Sequence, residues 1–184
     1  MSNEIAPILV ELRQDHRNMT KLLNMLDFQA EAIFGEEKSD LKLMLDIMYY
    51  MTVYPDAVHH PKENRLYAEL RAARPDLSKG MARIYNEHCT IGDLSVLLRN
   101  KLEEAVSGNT VLRKEIVADA LRYVESLRAH MRWEESDLFR RLDRMVADGH
   151  GVIETSTVVH RQDPLFGTNV ESRFEALYKT LVPD

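Results

Sequence analysis

Two pairs of residues in this chain have the types and the spacing to hold a metal ion. His59 and Glu63 lie one helical turn apart in the run His59-His60-Pro61-Lys62-Glu63, so both side chains can face the same side of a helix. His130 and Glu134 repeat that spacing in His130-Met131-Arg132-Trp133-Glu134-Glu135. Two more histidines, His16 and His88, stand alone in other amphipathic segments. Imidazole binds borderline metals such as iron and zinc, while carboxylates suit harder ions and can bridge two of them. Four imidazoles and two carboxylates brought together would hold a metal pair.

Each feature taken alone has a plainer reading. A histidine on a helix seam is commonly a hydrogen-bonded core residue. A one-turn His/Glu pair on an exposed face contributes only a few tenths of a kcal/mol. Glu134-Glu135 reads as a solvated face. Their conjunction favours the metal, because two glutamates buried in a core are unfavourable unless they are paired or coordinate a cation.

The elements that must position these residues are helices. Glycine and proline are sparse and fall in a few gaps, around Gly35, Pro75, Gly108 and Gly149-His150-Gly151. Between the gaps lie long segments of good helix formers with three-four periodicity. No alternating, strand-like run stands out. The first helix is expected over 3–34, with a seam of Leu9, Leu12, His16, Met19, Leu23, Leu26, Ala30 and Ile33. The second begins after Ser39, read as its N-cap, and runs to about residue 71. Pro55 and Pro61 should bend it around the histidine pair. The third runs from after Ser78 to about 107 and the fourth from about 110 to 147. At about 1.5 Å per residue the fourth would exceed about 50 Å and should break or overhang. A short helix is expected over 171–181.

Short connections imply an antiparallel, up-down-up-down four-helix bundle. In that arrangement the depths of His16, His59, His88 and His130 along their helices differ by at most about 10 Å, so the four fall in one layer. The expected organisation is thus all-α: a bundle over residues 1–148 and a C-terminal tail, 149–184, packed on it.

Composition bounds the function. The chain has 184 residues, 45% apolar and 29% charged, which is ordinary for one globular domain. A net charge of −6 with scattered basic residues argues against nucleic acid and against an anionic membrane surface. No segment has the unbroken apolar length needed to span a bilayer. The start, Met1 to Ile5, lacks a basic region followed by an apolar run, so no signal peptide is expected. A single cysteine, Cys89, excludes an internal disulfide and suits a reducing compartment. The cytoplasm is the expected location.

With these residues in place, the sequence resembles the hemerythrin-like, or HHE cation-binding, family over roughly residues 8–145. The resemblance rests on Asp15-His16, on Tyr54-Pro55-Asp56-Ala57-Val58-His59-His60-Pro61-Lys62-Glu63, on Glu87-His88 and on His130 to Glu135. It implies an antiparallel four-helix bundle around a non-haem di-iron centre, two iron ions bridged by carboxylates and an oxo or hydroxo group. It further implies that His16, His59, His88 and His130 are terminal ligands and that Glu63 and Glu134 bridge. One departure is that Gly92 stands where oxygen-carrying hemerythrins have a second histidine, one turn after His88. That would leave an extra open position on one metal. His60 is the nearest reserve ligand, although it points about 100° from His59 on a regular helix. Tyr54, Tyr85 and Tyr123 lie on or near the ligand faces, and Glu135 competes with Glu134. Asp163-Pro164-Leu165-Phe166-Gly167 reads as a turn against the bundle, with His160 a minor candidate ligand. His150 should be solvent-exposed, and Cys89 should be a small buried residue.

A centre of this kind would bind dioxygen, peroxide or nitric oxide in oxidative or nitrosative stress or in oxygen sensing. An enzyme that decomposes peroxide or reduces nitric oxide, or an iron or redox sensor acting through a partner protein, would use the same residues. A homodimer through an exposed helix face is possible.

Overall fold

The structure, a computed structural model, describes residues 2–35, 37–154 and 161–182. Helices dominate it. α1 spans Ile5–Phe34 and buries Leu9, Leu12, His16, Met19, Leu23, Leu26, Ala30 and Ile33, the seam read from the three-four spacing. α2 spans Leu41–Val53. Its N-cap is Asp40, whose carboxylate accepts the Leu43 amide at 2.9 Å. The cap therefore falls one residue after Ser39, because Asp40 is the side chain that reaches the first-turn amide.

The bend expected around Pro55 and Pro61 takes the form of a π turn, Pro55–His59, leading into α3, His60–Ala73. Pro55 has no amide to donate, and the His59 amide reaches back five residues to the Tyr54 carbonyl at 3.1 Å. The long fourth segment is interrupted in the same way. α5 (Arg113–Trp133) passes through a second π turn, Glu134–Leu138, into α6 (Phe139–Ala147). Such widened turns inside α-helices gather at functional sites. Here each one adjoins a His/Glu pair.

Between α3 and α4 (Met81–Val106) lies a short 3₁₀ turn, Pro75–Leu77. Gly80 enters α4 at φ 87°, and a Cβ there would lie 2.6 Å from the Trp133 ring. Both the backbone conformation and the close approach of α5 require glycine at this point.

Cross-contacts show how the helices are arranged. Along α1, Arg13 meets Asp143 at 2.7 Å and Asp27 meets Arg128 at 2.6 Å, so rising numbers on α1 face falling numbers on α5–α6. The same reversal relates α2–α3 to α4, where Thr52 meets Arg99 and Asn64 meets His88. It also relates α4 to α5, where Lys101 meets Asp119 and His88 meets His130.

The core is divided in two. One cluster runs from Met19 to Ile33 on α1 through Met44, Met48, Tyr50, Leu98 and Leu127. The other gathers Ile5, Leu9, Leu12, Leu66, Tyr67, Ile84, Phe139 and Leu142. Between them, on every long helical segment, stand buried polar residues: His16, His59, Glu63, His88, His130 and Glu134.

One feature was not expected. A short antiparallel ribbon pairs β1 (Ser2–Glu4) with β2 (Val152–Glu154), tying the entry of α1 to the chain beyond α6. Strands of three residues are too short to show an alternating pattern. Beyond the ribbon, the tail enters the first cluster through Leu165, Phe174 and Leu177. Asp163 accepts the Leu165 and Phe166 amides and receives the Tyr50 hydroxyl at 2.9 Å. A 3₁₀ turn, Ser172–Phe174, and α7, Glu175–Leu181, close the described chain near the expected helix. No described helix is long and apolar enough to cross a membrane.

Candidate metal centre

The polar layer brings all six expected residues together. On α1, His16 Nε2 lies 3.4 Å from Glu134 Oε2 and 3.8 Å from Glu63 Oε1. His59 Nε2 lies 3.3 Å from Glu63 Oε1, and His88 Nε2 lies 3.3 Å from Glu63 Oε2. His130 Nε2 stands 3.3 Å from Glu134 Oε2 and 2.9 Å from His88 Nε2. Glu63 and Glu134 have no solvent exposure at all.

His60 joins them. It is buried, and its ring stacks on His88 with centroids 4.2 Å apart. Two sets of donor atoms have the mutual distances a cation needs: His16, His59 and Glu63 in one, and His60, Glu63, His88 and His130 in the other. Glu63 belongs to both. On a regular helix His59 and His60 would diverge, but the π turn that ends at His59 lets both imidazoles reach the interior.

Each imidazole is held from outside through Nδ1. His16 faces Glu135 at 3.0 Å, His59 faces Asp15 at 2.9 Å, and His60 faces Asp56 at 3.3 Å. His88 faces the Asn64 side-chain oxygen at 2.9 Å and His130 faces Glu87 at 3.0 Å. An Nδ1–H donated outward leaves Nε2 as a lone pair directed inward, the arrangement that orients metal-binding histidines. Inward, the Nε2 atoms of His16, His59 and His60, with Glu63 Oε2 and Glu134 Oε2, are buried without a hydrogen-bond partner. Buried polar atoms are normally satisfied. Five orphans converging on one layer fit a cation as their common partner. The distance between His88 and His130 Nε2 fits as well, since two nitrogens bound at about 2 Å to one ion at right angles are about 3 Å apart.

Electrostatics point the same way. Burial opposes charge on the imidazoles, yet the carboxylates outweigh it. Glu63 and then Asp15 lift His59 to about 9, and Glu134 with Glu87 lifts His130 to about 10. For His16, burial is overcome by Glu134, Glu135 and Glu63, and its pKa lies well above the ordinary value. His60 is the exception, because burial pushes it down to about 4. Burial would raise Glu63, but His59, His16 and His88 hold it well below the usual carboxylate range. Glu134, despite burial and the neighbouring charge of Glu63, is brought down to about 2 by His130 and His16. Without cations the layer holds three protonated imidazoles, those of His16, His59 and His130, around two carboxylates.

The matching family model is that of the hemerythrin HHE cation binding domain, over residues 8–142. The chain belongs to this family. No curated protein and no solved structure matches it. In this hemerythrin-like chain the two histidine–glutamate sets are therefore candidate seats for the cations that the family's description names.

The remaining sequence candidates divide. Glu135 is an outer partner of His16, behind the ring. The Tyr54 hydroxyl lies 3.4 Å from Asp15, one residue further out again. Tyr123 is fully buried among apolar side chains, with its hydroxyl unpartnered. Tyr85 is 62% exposed and points away from the layer. Cys89 is exposed too, correcting the expectation of a small buried residue, because its position one step past His88 turns it out of the bundle. His150 is exposed. His160 lies outside the described residues.

One residue of the site was missed. The Tyr67 hydroxyl is fully buried and sits 2.9 Å from Glu134 Oε1 and 3.4 Å from Glu63 Oε1. Its place one turn after Glu63 puts it on the ligand-bearing face, but nothing in its type or spacing sets it apart from a core tyrosine.

Proposed function

We propose that the chain is a non-haem di-iron protein that binds a small ligand, dioxygen, peroxide or nitric oxide. In this reading His16, His59, His88 and His130 are terminal ligands, and Glu63 and Glu134 span two iron ions. The single observation that carries it is the sharing of Glu63 between two cation-competent sets. A mixed imidazole and carboxylate donor set of this composition suits iron.

The scaffold is read as an antiparallel up-down-up-down four-helix bundle over residues 1–148 with the tail 149–184 as a brace. The reversed order of contacts between neighbouring helices supports the first part. The Tyr50–Asp163 hydrogen bond supports the second. We place the protein in the cytoplasm, which its single cysteine favours.

His60 changes where the small ligand would go. The sequence pointed to a vacancy beside His88, at Gly92. A Cβ on Gly92 would meet nothing within 4 Å, while His60 supplies a third imidazole to the His88 and His130 set. The other set has only two imidazoles, His16 and His59, and is the better place for an exogenous ligand. Iron bound there would supply a Lewis-acidic, redox-active centre. The chain orients it through Asp15, Glu135 and the other outer carboxylates, and it excludes water with the two apolar clusters.

A second reading, an enzyme that decomposes peroxide or reduces nitric oxide, is favoured by Tyr67. Its hydroxyl is a buried proton carrier directly beside the carboxylates. Metal analysis of freshly prepared, chelator-free protein should give two irons per chain. A value under one sinks the di-metal reading. Repeated cycling between air and anaerobic conditions with an unchanged visible spectrum marks a reversible binder, and catalytic loss of added peroxide marks an enzyme.

A further inference from the structure

Two grooves flank α5, one on each side of the metal layer. The groove towards α4, about 480 Å³, has His130 in its wall. Its charged residues, Arg83 and Glu87, pair with each other at 3.1 Å, so its charges cancel. The groove towards α1 is different. It measures about 620 Å³, has His16 in its wall, and carries Arg17, Lys21, Arg128 and Arg132 against Glu135 alone.

The four cations form two like-charged pairs at one-turn spacing, Arg17 with Lys21 on α1 and Arg128 with Arg132 on α5. Pairs of this kind destabilise a helix, and here they face each other across the groove. Arg128 is neutralised by Asp27 at 2.6 Å. The Arg17 guanidinium rests on the Gln14 side-chain oxygen, and the Lys21 ammonium lies 5.6 Å from the centre of the Phe166 ring. Among the described residues no carboxylate pairs with Arg17, Lys21 or Arg132. Glu135 is already engaged by His16 and by Arg13. On a chain of net charge −6, three uncompensated cations in one concavity produce a local positive field that concentrates anions.

Size narrows the ligand. A water takes up about 30 Å³ in the liquid, and dioxygen, peroxide or nitric oxide would occupy little of this space. A concavity of about 620 Å³ is in the range that holds organic ligands. Buried Met131 and the aliphatic stems of the arginines and lysine supply its apolar surface.

We propose that the α1/α5 groove binds a small organic anion bearing phosphate or carboxylate groups, held by Arg17, Lys21 and Arg132 beside His16 and Glu135. The site goes beyond the small-ligand function, and the three cations that would hold its ligand, Arg17, Lys21 and Arg132, are not among the candidate metal ligands. A ligand there would adjoin the metal layer at the His16–Glu135 pair.

The test is a calorimetric titration of the protein as isolated with glycerol 3-phosphate and, separately, with glutarate, with inorganic phosphate and glycerol as controls. One of the two organic anions should bind saturably, one per chain, at least fivefold more tightly than inorganic phosphate, and glycerol should not bind. Which of the two binds distinguishes phosphate from carboxylate recognition. The triple variant Arg17→Gln, Lys21→Gln, Arg132→Gln should weaken that binding at least tenfold with helical signal and metal content unchanged. The proposal is overturned if neither anion saturates, if inorganic phosphate binds as tightly, or if the triple variant binds like the original protein. Metal content, read on the same samples, reports separately on the di-iron reading.

Discussion

At the scale of single residues, most depends on Glu63. It has no exposed surface and faces His59 and His16 through one oxygen and His88 through the other. Glu63→Gln keeps the volume and removes the charge. Metal content should fall from two per chain to below one while the helical signal stays. Two irons per chain in that variant would refute the bridging role. Tyr67→Phe tests a subtler part. It leaves Glu134 Oε1 without its donor in a fully buried place, and an unsatisfied buried acceptor costs about 1–3 kcal/mol. Denaturant unfolding should show that loss with two metals retained. The six ligand candidates were legible because His59/Glu63 and His130/Glu134 repeat one spacing and because His16 and His88 interrupt apolar seams. Tyr67 was not, since a tyrosine one turn after Glu63 looks like any other core residue. The outer partners were legible only in part. Asp15 and Glu135 neighbour ligands in sequence, but Glu87 adjoins His88 and serves His130 on another helix, which packing alone decides.

At the scale of elements, the two π turns set the site. The first was half legible, because Pro55 and Pro61 announce a disturbed helix without saying what form it takes. The second carries no proline or glycine, and nothing in Glu134-Glu135-Ser136-Asp137-Leu138 distinguishes it from ordinary helix. A π turn closes with an i→i+5 bond where an α turn closes with i→i+4, so it holds one extra residue. Deleting the exposed Ser136 should restore an α turn and leave α5 and α6 in register, with Phe139 and Leu142 still in the core. Far-ultraviolet dichroism should be nearly unchanged and metal content should drop, because Glu134 begins the turn. Retention of two metals would show the widened turn to be dispensable. The tail is tied in by a different device. Tyr50→Phe removes the hydroxyl that reaches Asp163, a carboxyl already pushed up by burial. The expected loss is about 1–3 kcal/mol, read by denaturant unfolding, with metal content unaffected.

At the scale of the molecule, the chain builds one polar layer between two apolar clusters, and that layer is charged in a pH-dependent way. The division of the core was hidden in the sequence, where His16 and His88 each interrupt a seam at one position and the apolar spacing resumes in the same register on the far side. Consider the metal-free protein. His59 and His130, lifted to about 9 and about 10, stabilise the fold fully below the unfolded imidazole value of about 6.5. That contribution disappears as pH rises through the folded values. On the acid side His60, lowered to about 4, refuses a proton that the unfolded chain accepts near 6.5, so stability also falls as pH drops towards 4. Glu63 and Glu134 add a further loss below the unfolded carboxylate range, because their folded values are depressed. Metal-free protein should therefore melt highest near neutral pH. Ligand imidazoles must be deprotonated to bind a metal, so metal entry has to expel the protons carried by His16, His59 and His130. Adding zinc(II), or iron(II) without oxygen, to metal-free protein in weakly buffered solution at about pH 7.5 should acidify it. The difference in melting temperature between loaded and metal-free protein should widen from about pH 6.5 to about pH 9. Metal uptake with no proton release would mean that the imidazoles are not the ligands, and the di-metal assignment would fail with it.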